Sequence, residues 1–178
     1  MAGTALSSEH SANQTFIVRW LGTGHSGWIV GLLPFSILLF FAQFIGPVSQ
    51  GAVLYFSVPW IPSLGVNLSF MLDGLSLLFA LLVSGIGTLV VIYAGGYLAG
   101  HHQLVHFYIY ILLFMTSMIG LTISDNLITL FVFWELTSIT SYMLIGFKHE
   151  YQESRSAALQ ALLVTGAGGL VLLAGLIM

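Results

Sequence analysis

The chain has 178 residues, 58% of them hydrophobic and 5% charged, with a mean hydropathy of +1.03. A soluble domain carries about a quarter charged residues, so too few charges remain here to solvate a globular surface, and the composition dictates an integral membrane protein. The absence of cysteine excludes a disulfide framework or thiolate metal site, and a net charge of −3 with three basic residues excludes a nucleic-acid footprint.

Residues 1–15 (MAGTALSSEHSANQT) are polar, a composition that predicts a disordered segment, and they lack the layout of a secretory signal peptide. Arg19 and Trp20 form the kind of pair that anchors at a membrane interface. Trp28–Gly46 is the first span, kinked or started by Pro34. Through Pro47–Phe70 the pattern changes. Pro59 and Pro62 bracket Trp60 and Ile61, while Val66, Leu68 and Phe70 alternate with Asn67 and Ser69. That period of two predicts a short strand or hairpin near 51–70, outside the bilayer, with Trp60 at headgroup level.

Leu72–Leu98, His106–Ser124, Asp125–Lys148 and Ala157–Met178 follow as further spans, joined by short linkers. The predicted fold class is therefore an all-α, multi-pass membrane helix bundle with about five transmembrane helices and one short hairpin, residues 16–178 forming a single transmembrane domain. The last apolar run reaches Met178 without a polar tail, the pattern of the front part of something longer.

With five spans, Arg19, the 99–105 loop and the loop holding Lys148 and Arg155 fall on one side, and the loops without Lys or Arg on the other. The positive-inside pattern makes the first side cytoplasmic. Asp73 and Asp125 then sit on the outer side at two helix starts, where a carboxylate accepts free backbone N–H groups.

The segment Asp125–Lys148 carries one carboxylate, Glu135, between Trp134 and Leu136. A charge at that depth costs roughly 2.5–3.5 kcal/mol on insertion scales, so it is tolerated where it faces protein, pairs, or carries protons. Three, four and seven residues away lie Ile128, Phe131, Ser138, Ile139 and Tyr142. Ser138 and Tyr142 are the predicted hydroxyl neighbours of the acid, with Thr137 and Ser141 beside them. A carboxyl removed from water favours its neutral form and a cationic partner the charged one. A group poised between the two serves a proton relay; the plainer alternative is a neutral packing residue. No other span offers an ionisable side chain near its centre, so a partner has to come from sequence not present here.

The remaining polar features have ordinary readings beside functional ones. His101, His102 and His106 include an i, i+4 pair, but no third ligand accompanies them, and a polar loop accounts for them. Lys148, His149, Glu150, Glu153 and Arg155 read as a solvated helix connection, in which Lys148 and His149 are candidates for passing protons between Glu135 and the cytoplasm. Ala161, Thr165 and Gly169 form a small-residue ridge suited to close helix packing.

LDGLSLLF at 72–79, Asp125-Asn126-Leu127, Trp134-Glu135 and SYMLIGF at 141–147 together resemble a known superfamily. It is the antiporter-like family shared by Mrp-type multisubunit Na⁺/H⁺ antiporters and the proton-pumping arm of respiratory complex I, and the likeness runs over roughly 66–178. In that family the glutamate matching Glu135 is the key intramembrane acid and works with a lysine two helices further on, beyond this sequence. The large complex I subunit reads WEGVGLCSYLLIGF and then VVTRVGD, with an intramembrane Arg and Asp. This sequence has WELTSITSYMLIGF and LLVTGAGG, placing Gly166 and Gly169 at those two positions. WELTS, the SRSAALQALLVTGAGGL stretch and VPWIP look like the A subunit of the Mrp branch. That family has one more hydrophobic helix before Trp28, so the resemblance implies a truncated or split form.

The resemblance implies the N-terminal part of a membrane subunit that exchanges Na⁺ for H⁺ through Glu135, embedded in the bilayer of a bacterial cell membrane and assembled with other Mrp subunits. No cofactor is implied, since neither a nucleotide loop nor a cluster-ligand pattern is present. The rival expectations are a proton-translocating subunit of an NADH-quinone oxidoreductase and a non-transporting scaffold subunit.

Overall fold

The computed structural model describes residues 26–61, 66–99, 103–147 and 150–178. The elements in chain order are α1 (Ser26–Ala42), α2 (Ile45–Ser49), β1 (Leu54–Ile61), β2 (Val66–Leu72), α3 (Gly74–Tyr97), α4 (Leu104–Thr122), α5 (Leu127–Ile145) and α6 (Gln152–Ile177). Five segments are long and apolar enough to cross a membrane, the first being α1 and α2 taken together over Ser26–Ser49. The five expected spans are thus present. The polar 1–15 segment, Arg19, Trp20, Pro62, His101 and His102 lie outside the described residues.

Each long helix packs chiefly on its neighbour in the chain: α1 on α3, α3 on α4, α4 on α5, α5 on α6. Two small cores knit the first three helices. Phe41, Leu72, Leu77, Ala80 and Ile119 gather near the hairpin, and Val91, Ala94, Leu98, Leu104 and Tyr108 gather at the opposite end. At that second end the backbones of α1 and α3 touch. A side chain added at Gly95 would place its Cβ 2.5 Å from Gly27 Cα and 2.8 Å from the Tyr108 hydroxyl. The small residues let the Ser26 and Tyr108 hydroxyls hydrogen-bond at 3.1 Å, satisfying two polar groups inside the packing. Outward, the helices present bare apolar surface, with Leu89 68%, Leu163 70% and Val171 73% exposed. Water would penalise such a surface, whereas hydrocarbon accommodates it.

The predicted hairpin is an antiparallel pair in which Leu54 faces Leu72, Phe56 faces Phe70 and Val58 faces Leu68, with a bulge between Pro59 and Ile61. Proline cannot donate to a ladder, which suits Pro59 to a two-stranded edge position beside an irregularity. The other edge of β2 is fixed to the α4–α5 junction. The Met71 N–H donates to the Ile123 carbonyl at 2.7 Å, and the Asp125 N–H donates to the Ser69 carbonyl at 3.0 Å. The Ser69 N–H donates to the fully buried Thr129 hydroxyl at 3.1 Å, and the Asn126 side-chain amide donates to the Asn67 carbonyl at 2.8 Å. Phe70 meets Phe133 edge to face at 5.9 Å.

Two boundaries differ from expectation. Asp73 caps α3 as predicted, accepting from the Ser76 N–H at 2.8 Å and the Ser76 hydroxyl at 2.6 Å. The cap of α5 is Asn126 rather than Asp125. Asn126 stands three residues before Thr129, whose N–H it accepts at 2.7 Å, while the exposed Asp125 gives its backbone to β2. The last helix begins at Gln152, not Ala157, because the charged stretch of Gln152 to Ser156 has no helix breaker, and hydropathy marks depth rather than helicity. Pro34 lies inside α1, as expected, and the helix continues through it with the ring buried rather than starting there.

The Ser76 hydroxyl and N–H hold the Asp73 carboxyl below the usual carboxylate range, against a smaller opposing effect of burial. A carboxyl lowered in the folded state contributes stability that is complete above its unfolded value and lost as pH falls through its folded value. Asp73→Asn, which keeps an acceptor for the cap, is expected to flatten that acid limb in thermal unfolding of the detergent-solubilised protein. In the same assay at neutral pH, Asn126→Ala is expected to cost about 1 kcal/mol for the lost cap plus about 1 kcal/mol for the lost Asn67 bond. Asn126→Asp, which keeps the cap but has no amide to donate, should fall between.

Candidate functional site

Helices α5 and α6 run antiparallel and touch through small residues. At one end, a Cβ on Gly146 would stand 3.4 Å from the Ala158 Cβ. About three turns further along both helices, Glu135 of α5 meets Gly169 of α6. The Glu135 Oε1 occupies the place that a side chain on residue 169 would fill, with the Glu135 Cδ 3.1 Å and the Trp134 ring 3.7 Å from that same point. Gly169 is buried and Glu135 half-buried, so the carboxylate is partly withdrawn into the helix pair. Among the described residues its oxygens make no hydrogen bond or ion pair.

The predicted hydroxyl neighbours lie on the same stretch of α5, but neither is bonded to the acid. The Ser138 hydroxyl donates to the Trp134 carbonyl at 3.2 Å, and the Thr137 hydroxyl donates to the same carbonyl at 2.7 Å. Thr140 likewise donates to Leu136 at 2.7 Å. In an apolar surround an unmade hydrogen bond is costly, and a helix offers Ser and Thr the carbonyl one turn back. The hydroxyl-rich character of this half of α5 is therefore largely satisfied within the helix itself. Tyr142 is different: its side chain lines a cavity, and among the described residues its hydroxyl has no partner. Lys148 and His149 lie outside the described residues.

The cavity, of about 390 Å³, opens where α4, α5 and α6 meet at the Arg155 end. His106 and Tyr110 enter it from α4, their rings 6.3 Å apart. Tyr142 and Met143 enter from α5, and Arg155 and Ala158 from α6. The expected ridge of Ala161, Thr165 and Gly169 contributes only in part. Gly169 is in the interface, while Thr165 is exposed and donates to the Ala161 carbonyl at 2.7 Å.

Two family models match the chain. One, described as the N-terminus of chain 5 of NADH-ubiquinone oxidoreductase (complex I), covers residues 60–108. The other, described as the transmembrane region of NADH:quinone oxidoreductase and the Mrp antiporter, covers residues 124–178 and contains Glu135, Tyr142 and Gly169. The chain belongs to this antiporter-like family. Among its relatives are the A subunit of the Na⁺/H⁺ antiporter of Alkalihalophilus pseudofirmus, 44% identical over 161 residues, and the A1 subunit of the Na⁺/H⁺ antiporter of Staphylococcus haemolyticus, 46% identical over 162 residues. The matches take in 90% and 91% of this chain and 20% of each relative, so the chain spans about a fifth of their length. A solved structure of the Mrp complex from Dietzia sp. superposes with a TM-score of 0.73 at 36% identity, over 85% of this chain and 16% of that one. The branch read from WELTS and VPWIP is the branch of these relatives, and this antiporter-like chain is a multi-pass protein of the bacterial cell membrane.

Sequence reasoning singled out Glu135 but not the notch opposite it. Gly169 was visible only as a small residue in a ridge and as a departure from the complex I pattern; its antiparallel pairing with Glu135 needed the crossing point of the helices. The cavity residues His106, Tyr110 and Arg155 come from two helices apart from α5, and nothing in their spacing announces that they meet.

Because the atom crowding position 169 is the tip of a flexible side chain, Gly169→Ala should swing the carboxylate aside rather than part the helices. Its thermal stability in detergent is expected within about 0.5 kcal/mol of wild type. Gly95→Ala, opposed by the Gly27 backbone, should cost about 1–3 kcal/mol in the same measurement.

Proposed function

We propose that this chain is the N-terminal part of a membrane subunit that exchanges Na⁺ for H⁺, assembled with other Mrp-type subunits, and that Glu135 is its intramembrane proton carrier. The observation that carries the reading is the Glu135 carboxylate in the Gly169 notch, near the middle of an apolar helix and without a hydrogen-bond partner among the described residues. A carboxyl bound tightly by protein donors would be held in one charge state, whereas one left free of them can take up and release a proton. The relatives named as Na⁺/H⁺ antiporter subunits support the cation, and the multisubunit Mrp structure supports the assembly.

In this reading Ser138 and Tyr142 lie along the proton's path as hydroxyls on the acid's side of α5. The Ser138 oxygen, which donates to Trp134, keeps lone pairs free to accept. Lys148 and His149, at the cytoplasmic end, exchange protons with bulk water. No cation pairs with the acid among the described residues, and its partner in this reading is a basic residue elsewhere in the assembly. The driving force is the proton gradient: protons enter from outside and Na⁺ leaves the cytoplasm. The name of the first family model favours a second reading, in which the same acid serves a quinone-reducing pump.

The test is Na⁺-induced collapse of a pH gradient in inverted vesicles from an antiporter-deficient host, with the chain expressed beside its neighbouring subunits. Wild type is expected to collapse the gradient. Glu135→Gln, assembled to the same level, should respond like vesicles lacking the assembly, and Gly169→Ala should fall between. Equal responses from wild type and Glu135→Gln would leave Glu135 a packing residue. A gradient that responds to NADH or quinone and not to Na⁺ would favour the redox pump.

A further inference from the structure

We propose that the cavity between α4, α5 and α6 binds the phosphate of an anionic phospholipid of the cytoplasmic leaflet, with Arg155 and His106 as the side chains that hold it. The site concerns how this part of the chain is seated in its membrane, and it stands whether or not Glu135 carries protons.

The chemistry of the lining is the first observation. The whole chain has three lysines and arginines, and one of them, Arg155, stands at this cavity beside His106, Tyr110 and Tyr142. All four side chains can donate. The guanidinium presents five N–H groups in a planar fork that matches phosphate, the imidazole has an N–H in either charge state, and each phenol has an O–H. No aspartate or glutamate lines the cavity. Glu153, two residues from Arg155, is about 200° round the helix from it, and Glu153 and Glu150 are both exposed. Donors without carboxylates suit an anion. The larger groove between α1 and α3 has no charged side chain in its lining.

Depth is the second observation. His106 is the third residue of α4, Arg155 the fourth of α6, and Tyr142 stands three before the end of α5. Each is within about one turn, roughly 5 Å, of a helix end, on the side that the positive-inside pattern makes cytoplasmic. Lipid phosphates lie at that level, between hydrocarbon and water. The apolar side chains of Met143 and Phe147 complete the wall and suit the glycerol and first methylenes of a lipid, which a free phosphate ion lacks. At about 390 Å³ the cavity falls within the range of small-molecule sites, roughly 300–1,000 Å³.

The backbone adds to the same field. Helices α4 and α6 both begin here, and neither has a side-chain cap on its first turn, whereas α3 and α5, which begin at the opposite end, are capped by Asp73 and Asn126. The positive ends of two helix dipoles reinforce a site that the side chains define. Basic pockets between transmembrane helices at a cytoplasmic face take anionic headgroups in this way.

The chain contains no cysteine, so one introduced thiol adds a single label to the assembly, and the unsubstituted complex gives the background. The complex, assembled with its neighbouring subunits, is reconstituted in phosphatidylcholine vesicles with a fluorophore on Met143→Cys in the cavity wall. A small fraction of brominated phosphatidylglycerol should quench this label at least about twofold more than the same fraction of brominated phosphatidylcholine. Leu159→Cys, half-exposed one turn from Arg155 but outside the cavity, reports general attraction to the arginine charge and should show no such preference. No preference at Met143→Cys, or an equal one at Leu159→Cys, would overturn the site.

Arg155→Gln combined with His106→Gln should abolish the preference, and Arg155→Lys, which keeps the charge but loses the fork, should retain part of it. A preference untouched by the double substitution would overturn the assignment to these two residues. The comparison of Met143→Cys with Leu159→Cys is made with both residues in place, so it decides the matter even if the double substitution fails to assemble. Inorganic phosphate at millimolar concentration, set against chloride of equal ionic strength, should leave the preference intact; its loss would mean that the site takes the free ion, and would overturn the lipid. Quenching is read without any exchange activity, so failure of the Glu135 relay and failure of this site are separate results.

Discussion

A carboxylate halfway along an apolar helix has to be matched by whatever lies across from it, and here the match is a missing side chain. Any residue larger than glycine at 169 would claim the space that the Glu135 Oε1 occupies. The acid is thereby partly withdrawn into the helix pair without being tied to a protein donor among the described residues. Such an arrangement differs from a structural buried acid, which accepts several hydrogen bonds and is fixed by them. Trp134 stands against the same notch, and the Thr137, Ser138 and Thr140 hydroxyls turn back to their own helix.

The depth of that carboxylate is set at the other end of α5. The hairpin adds a partial third strand at the α4–α5 junction, and Thr129, two residues into the helix, is itself a partner of the β2 backbone. Asn126 joins the two devices, capping α5 with its oxygen and holding β2 with its nitrogen. The first turn of α5 is therefore constrained in rotation as well as in height, and residues on its face keep their direction down to Glu135 and Tyr142.

Much of this was legible in the sequence. Spans are announced by long apolar runs, the hairpin by the alternation of Val66, Leu68 and Phe70, and the acid by its isolation. Local rules also located the Asp73 cap. They failed where two choices were locally equivalent: Asp125 and Asn126 are both good caps, and the deciding vote came from Asn67 and Ser69 on the hairpin. They failed again for α6, whose first turn is helical but charged. Contacts between helices were the least legible, because facing residues such as Glu135 and Gly169, or His106 and Tyr142, are related only through crossing geometry. The hydroxyls of Ser138 and Thr137 were read by their spacing from Glu135, when the nearer competitor was the Trp134 carbonyl.

The serial packing of the helices bears on how such a chain is built. Since α3 rests mainly on α1, α5 on α4 and α6 on α5, most segments find their principal surface already in place as synthesis proceeds. Contacts between neighbours in sequence close short loops, which keeps the entropic barrier to assembly low and leaves few long-range pairings to be made in error. The growing edge at each stage is the newest helix, and α6, which exposes Leu163, Val164, Leu170 and Val171, is that edge for the segment described here.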